Sequence, residues 1–138
     1  MKIAAVVLCF VFLSGCNKEN DKNGLTELNG RWELRVTDGG YSYEHKIYPE
    51  GNGNAFIFSG DNQYQHITIV SGEKDTASGI YSVTRGATCS NADVTFIKFS
   101  DGEPGDVTIL SVSGDSLYLK TNGCIMADGV DRTYVKNN

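Results

Sequence analysis

The side chains of this chain that could do chemistry are two histidines, four cysteines and an excess of carboxylates. His45 and His66 are far apart, and neither a His-x-x-x-His nor a Cys-x-x-Cys spacing occurs, so no common metal centre is indicated. Asp101, Glu103 and Asp106 could gather around calcium, but the EF-hand loop pattern is absent, and an acidic hairpin tip is the better interpretation. No Gly-x-Ser-x-Gly nucleophile elbow occurs either. We therefore predict that the chain is not an enzyme and has no metal or cofactor.

The first two cysteines lie in a segment with the features of a targeting signal. Lys2 precedes an uncharged apolar run, residues 3–13, which is too short for a typical membrane-spanning helix. The run ends in Leu13-Ser14-Gly15-Cys16, which resembles the bacterial lipobox. That resemblance implies a signal peptide over residues 1–15, a diacylglycerol on the thiol of Cys16 and acyl chains such as palmitate that anchor the protein. An ordinary secretory signal that happens to contain two cysteines is the alternative.

The residues after Cys16 indicate which membrane would hold the lipidated protein. By resemblance to the sorting rules of diderm bacteria, Asn17 in place of an aspartate favours the outer membrane. The segment Lys18-Glu19-Asn20-Asp21 loosely resembles the charged tag of surface lipoproteins in Bacteroidetes. Whether the domain faces the periplasm or the cell exterior stays open at this point.

The part that would remain after cleavage is one modest, acidic domain. Of the 138 residues, 123 would remain, and because Lys2 is the only charged residue removed, the formal net charge changes from −5 to −6. Nucleic acids and anionic lipids require basic patches, so neither is an expected partner. Residues 16–27 comprise the lipidated cysteine and a polar, flexible tether, and residues 28–138 form the domain.

Cys89 and Cys124 are then an even pair in an oxidising compartment, for which a disulfide is the natural expectation. One geometric difficulty remains. Three predicted strands separate the two cysteine-bearing loops, which places those loops at opposite ends of a strict meander. A disulfide needs α carbons about 5.5–6 Å apart, so either a loop folds back along the sheet or the strand count between the cysteines is off by one.

The elements that must position these residues are short β-strands. In Gly30-Arg31-Trp32-Glu33-Leu34-Arg35-Val36 the apolar residues Trp32, Leu34 and Val36 alternate with charged ones, which predicts a strand with one buried face. Similar runs recur between turn signals, a charged turn is expected over residues 71–78, and the segment 41–48 is either an edge strand or a loop. No helical periodicity follows residue 28. We predict an all-β fold, a small antiparallel up-and-down β-barrel of about eight strands, with a sandwich as the alternative.

Several of these segments resemble known families. The Gly30-Arg31-Trp32 segment is similar to the Gly-x-Trp first strand of lipocalins and fatty-acid-binding proteins, and residues 78–83 and 109–119 resemble later strands of lipocalin-like domains in Bacteroidetes lipoproteins. The pair Arg132 and Tyr134 resembles the Arg-x-Tyr of fatty-acid-binding proteins, which implies that it holds a ligand carboxylate. Residues 37–54 contain nothing like the helical lid of those proteins. An arginine packed over Trp32, as in this superfamily, or a solvated arginine are the alternatives for Arg132.

The resemblance and the aromatic content together give two expectations for function. The first is a lipid-anchored, lipocalin-like barrel that binds a small, partly apolar ligand, with Arg132 and Tyr134 orienting a polar group and Tyr41 and Tyr43 at the open mouth. The second is a cell-envelope interaction or inhibitor module whose barrel is filled by side chains. Gly30 and Trp32 are expected to plug the tethered end, and no protein partner can be named.

Overall fold

Nine antiparallel β-strands account for most of the described chain. The computed structural model describes residues 27–102, 108–122 and 128–137. The strands are β1 (Gly30–Gly39), β2 (Glu44–Ile47), β3 (Ala55–Ser59), β4 (Gln63–Val70), β5 (Glu73–Gly86), β6 (Val94–Phe99), β7 (Thr108–Ser113), β8 (Ser116–Thr121) and β9 (Val130–Asn137). The described residues contain no helix, so none is long and apolar enough to cross a membrane.

The sheet closes on itself into an eight-stranded barrel, as the sequence predicted. From β3 to β9 each strand pairs with the next in the chain, and β9 pairs with β1 along nearly its whole length. The ladder is strongly staggered: β5 pairs with β4 through residues 73–80 and with β6 through residues 81–86. Closure of a barrel requires such a stagger, and it leaves the barrel strands without long exposed edges.

The ninth strand, β2, lies outside this closed ladder. Residues 30–33 of β1 pair with β3, whereas residues 36–39 of the same edge pair with β2. Strand β2 therefore stands above β3 and pairs, within the described residues, only with β1. This strand occupies part of the uncertain 41–48 segment, and it is the edge strand that was one of the two expectations for it.

The barrel has two distinguishable ends. At the upper end, β1 ends at Gly39 and β9 begins at Val130. At the lower end, β1 begins at Gly30. The lower and middle interior is filled by side chains that are almost entirely buried, among them Leu28, Trp32, Phe56, Phe58, Tyr81, Ile97, Phe99, Leu117, Leu119 and Tyr134.

The predicted turn over residues 71–78 is wrong. The turn consists of Ser71 and Gly72, with φ values of 53° and 84°, and Glu73 already pairs with Val70. Positive φ at both central residues is the geometry of a two-residue hairpin, which matches the twist of the flanking strands. The polar residues from 73 to 78 are thus the first half of β5, and their mostly exposed side chains explain the lack of an apolar pattern.

The predicted faces of β1 also need correction beyond Leu34. Leu34 pairs with Tyr134 and Val36 with Thr133, so a β-bulge at Arg35 inserts one extra residue into β1. Thr37, which pairs with Arg132, therefore takes the inward position, and Val36 turns to the outer face. The sequence cannot show this, because an uninterrupted alternation contains no sign of the extra residue.

A candidate ligand-binding site at the barrel mouth

A cavity of about 460 Å³ opens at the upper end of the barrel. Binding pockets for small molecules are typically about 300–1,000 Å³, so its size is suitable for a small ligand. A depression of about 580 Å³ crosses the outer face of β3, β4 and β5, but exposed side chains such as Gln63 and Gln65 form it, so we regard it as surface relief. The mouth cavity is lined by Leu34, Thr37, Lys46, Tyr48, Asn54, His66, Thr68, Ile69, Val70, Val130, Arg132 and Tyr134.

Aromatic rings form the floor of this cavity. The ring of His66 stacks on Phe56, with centroids 4.1 Å apart and planes 7° apart, and Phe56 meets the edge of Tyr134 at 5.5 Å. Phe56 also stacks on Phe58 and Phe99, which lie deeper in the barrel. Because this stack fills the barrel beneath the floor, a ligand seated at the mouth cannot extend far into the interior.

Arg132 and Tyr134 both line this cavity, with Tyr134 at the floor and Arg132 above it on the same strand. They occupy alternate positions of β9 and therefore share its inner face. Tyr134 is 1% exposed, and burial raises the pKa of its phenol, while the positive charge of Arg132 opposes the rise and Tyr48 adds to it. The phenol is therefore neutral at physiological pH and can donate a hydrogen bond. Arg132 donates from Nη1 to the carbonyl of Val130 at 3.3 Å.

The side wall of the cavity is completed by the segment between β2 and β3. Asn54 lies just before β3 and joins β1 to β4: its carbonyl accepts from the Leu34 amide at 2.9 Å, and its Oδ1 accepts from the Ile69 amide at 2.8 Å. Asn52 supports this arrangement, since its Nδ2 donates to the Leu34 carbonyl and its Oδ1 accepts from the Asn54 amide. The amide of Tyr48 donates to the carbonyl of Arg35 at 2.7 Å, which holds the Tyr48 end of the segment against the bulge.

A buried carboxylate holds the same segment on the outside of the barrel. Glu33 faces outward but is only 1% exposed, because residues 49–54 cover it. Its oxygens accept hydrogen bonds from the amides of Gly51 and Gly53 at 3.2 and 3.4 Å, and they pair with Nη1 of Arg35 at 3.0 Å. Glu33 thus lies on the face opposite Trp32, as the alternation predicts, but the expectation that only the other face is buried is wrong at this residue. The covering segment is distant in sequence, and no local pattern announces it.

The four residues predicted to bind a ligand fall into two groups. Arg132 and Tyr134 line the cavity. Tyr41 and Tyr43 lie on the turn between β1 and β2, are 91% and 82% exposed, and are not among the lining residues. Their contribution to binding stays a prediction. Sequence reasoning missed Thr37, Lys46 and the inward orientation of His66. Only the alternation of Lys46 with Tyr48 hinted that these two side chains share a face.

The cation that packs over Trp32 is Lys136, and not Arg132 as one of the alternatives held. Lys136 Nζ lies 5.1 Å from the centroid of the Trp32 ring, whereas Arg132 lies at the mouth. Trp32 is fully buried, and its Nε1 donates to the carbonyl of Leu28 at 2.6 Å. Gly30, with φ of 129°, leaves room for the lysine stem, since a β carbon there would approach Lys136 Cε to 3.0 Å. The role of Gly30 and Trp32 as a plug of the lower end stays a prediction, and the cation beside this tryptophan is Lys136.

The cysteines and histidines give no sign of metal chemistry within the described ranges. Cys89 is disulfide-bonded, but Cys124 and Cys16 lie outside the described residues, so the Cys89–Cys124 pairing and the lipidation stay predictions, as do the boundaries of the signal and tether. Three strands do separate the two cysteine-bearing segments. His45 contacts Asp38 on the exposed side of the β1–β2 hairpin. In the described part of the chain, no group of three or more His, Cys, Asp or Glu residues could hold a metal ion.

No family model matches the chain, and neither the curated proteins nor the solved structures that were searched contain a match.

Proposed function

We propose that this protein is a lipoprotein, anchored to the outer membrane through Cys16, whose lipocalin-like barrel binds a small, partly apolar molecule at its mouth. The observation that carries the proposal is the cavity at the upper end, which combines an aromatic floor and several aliphatic side chains with polar and charged groups. Small-molecule sites likewise combine apolar contact area with placed polar groups, and the mixed lining of this cavity suits a ligand that is only partly apolar. Arg132 and Tyr134 would orient the polar part of the ligand, and Tyr48 and Leu34 would cover its apolar part.

The depth of the cavity limits the ligand. Since the aromatic stack fills the barrel below Phe56, a long acyl chain has no room inside, and a compact molecule or a short tail fits better. Part of the ligand would remain in contact with solvent at the rim. This shallow site favours a carrier or receptor that exchanges its ligand readily.

Binding can be tested with a fluorescent apolar probe and with native mass spectrometry of protein purified in its mature form. Thr68→Trp, which fills the cavity from β4, should weaken probe binding at least about tenfold, or about 1.4 kcal/mol. Thr84→Trp is the matched control, because Thr84 is exposed on the outer face of β5. Equal probe binding by both variants would contradict the proposed site.

Anchoring is a separate test. Metabolic labelling with an alkyne fatty acid should label the wild-type chain and leave Cys16→Ser unlabelled, with the variant released from the membrane fraction. Labelling of Cys16→Ser equal to wild type would contradict the lipoprotein assignment while leaving the binding proposal intact.

A second candidate function is a cell-envelope interaction or inhibitor module. The filled lower interior and the exposed apolar residues of the β1–β2 hairpin favour it: Tyr41, Tyr43 and Ile47 are 91%, 82% and 70% exposed. Exposed aromatic residues are enriched at protein interfaces. The two functions separate in the variant Thr68→Trp, which should lose probe binding under the first proposal and keep a partner's crosslink under the second.

A further inference from the structure

Three side chains form one row across the upper part of the mouth. Thr37 on β1 lies directly opposite Lys46 on β2 in one pairing and directly opposite Arg132 on β9 in the other. Residues paired in this way project from the same face, and all three line the cavity. Neighbouring strands are about 4.8 Å apart, so the α carbons of Lys46 and Arg132 are about 10 Å apart with the threonine between them.

Neither cation of this row is neutralised by a described carboxylate. The salt bridges among the described residues are Glu33–Arg35 and Asp38–His45, both on the opposite face of the sheet from this row. Lys46 Nζ lies 4.9 Å from the centroid of the Tyr48 ring, which holds the ammonium toward the cavity. The guanidinium of Arg132 donates to the carbonyl of Val130, and a guanidinium has five N–H donors, so donors remain for a ligand.

The charge of the cavity is opposite to that of the whole chain. The chain has 17 acidic and 12 basic residues, but no aspartate or glutamate is among the described lining residues. Glu44, Glu73 and Asp75 share the inner face by their register or strand position, but they are exposed and are not among the lining residues. These carboxylates would slow the approach of an anion, whereas the positive charges of Lys46 and Arg132 would hold the anion once it is bound.

We propose that the row of Lys46, Thr37 and Arg132 binds a doubly charged oxyanion, of the phosphate-monoester type, at the head of a small amphiphile. The inference rests on the proposed function and names the chemical class of its ligand. The guanidinium, the ammonium and the threonine hydroxyl supply convergent donors. A single carboxylate neutralises only one of the two cations, whereas a doubly charged oxyanion neutralises both and offers each of them an acceptor. The short apolar tail lies on the floor formed by the rings of Tyr134 and His66.

The test compares four probes that differ in one feature each. Hexyl phosphate, hexanoate, hexanol and inorganic phosphate are titrated into the mature protein by calorimetry at about pH 8, where a phosphate monoester with a second pKa of about 6 is dianionic. We expect hexyl phosphate to bind at least tenfold more tightly than hexanol and several-fold more tightly than hexanoate. Its affinity should fall as salt is raised, because the attraction is screened.

Two variants assign the effect to the row. Lys46→Met and Arg132→Met should each weaken hexyl phosphate about tenfold and should weaken the uncharged hexanol far less. Lys74→Met and Arg85→Met remove the same charges at exposed positions of β5 and should change neither probe. Lys46 is exposed on an edge strand, so its replacement does not threaten the fold, and circular dichroism checks the Arg132 variant.

The outcomes separate the inference from the proposed function. Hexanol that binds as tightly as hexyl phosphate supports the apolar site and overturns the charged row. Inorganic phosphate that binds as tightly as hexyl phosphate supports the row and contradicts the apolar part of the site. Retained hexyl phosphate affinity in Lys46→Met overturns the role of Lys46. Absence of binding by all four probes overturns both proposals.

Discussion

Lys136 and Trp32 pair directly across the seam between the last and first strands, and the lysine ammonium lies 5.1 Å from the centroid of the indole ring. The indole is fully buried and donates to the Leu28 carbonyl below it. Trp32 thus connects three parts of the chain: the segment before β1 through Leu28, the closing strand β9 through Lys136, and β3 through its register with Phe56. Loss of the indole therefore removes contacts to all three of these parts and weakens the closure of the barrel.

Replacement of Trp32 by alanine should lower the free energy of unfolding by about 3–5 kcal/mol, because it leaves a cavity in a filled interior. Trp32→Phe loses the hydrogen bond to Leu28 but keeps much of the volume, so it should be destabilised less than Trp32→Ala. Denaturant titration measures both. A Trp32→Ala midpoint equal to that of wild type would refute the plug.

Replacement of Glu33 by glutamine should cost about 1.5–3 kcal/mol, the usual contribution of a hydrogen bond to a charged group. The change weakens the acceptors of the Gly51 and Gly53 amides and leaves Arg35, which is mostly buried, without its counter-ion. A double-mutant cycle with Arg35→Met, followed by urea unfolding, isolates the pair. Strictly additive effects would show that the two side chains are not coupled.

Replacement of Asn54 by alanine should cost about 1–3 kcal/mol, because the part-buried Ile69 amide loses its acceptor. Asn54→Asp retains Oδ1 and loses the Nδ2 bond to Asn52, so it is the matched control and should cost less. Hydrogen exchange at the Ile69 amide reports the local effect. Unchanged protection of that amide in Asn54→Ala would contradict the bridging role.

Stability should fall in strong alkali through the buried tyrosines. Burial and Asp101 raise the pKa of Tyr64 to about 12, and burial raises the pKa values of Tyr81 and Tyr134 above the ordinary 10.0. Above pH 10 the unfolded chain loses these protons while the folded chain retains them, so the contribution of these tyrosines to the free energy of unfolding decreases with pH there and is constant at lower pH. Urea unfolding across this range measures the slope, and Tyr134→Phe should reduce it. An equal slope in that variant would contradict the assignment.

Local sequence was sufficient for much of the architecture. The alternation around Trp32 and Leu34, the short apolar runs and the turn residues between them predicted an antiparallel barrel of about eight strands, and that prediction is confirmed. It succeeded because a strand with one buried face must alternate, and closure removes the exposed edges of a meander. Proximity of Arg132 and Tyr134 also followed from sequence, since alternate residues of a strand share a face.

The tertiary structure alone decided how the mouth is built. A bulge at Arg35 turns Thr37 inward, and the pairing of β2 with the upper half of β1 brings Lys46 into line with Arg132. Burial of Glu33 likewise depends on a segment 18–20 residues away. Register, bulges and covering segments are set by contacts between distant residues, which no local pattern records. The sequence therefore determined the barrel, and the long-range pairing of its strands determined which side chains meet at its mouth.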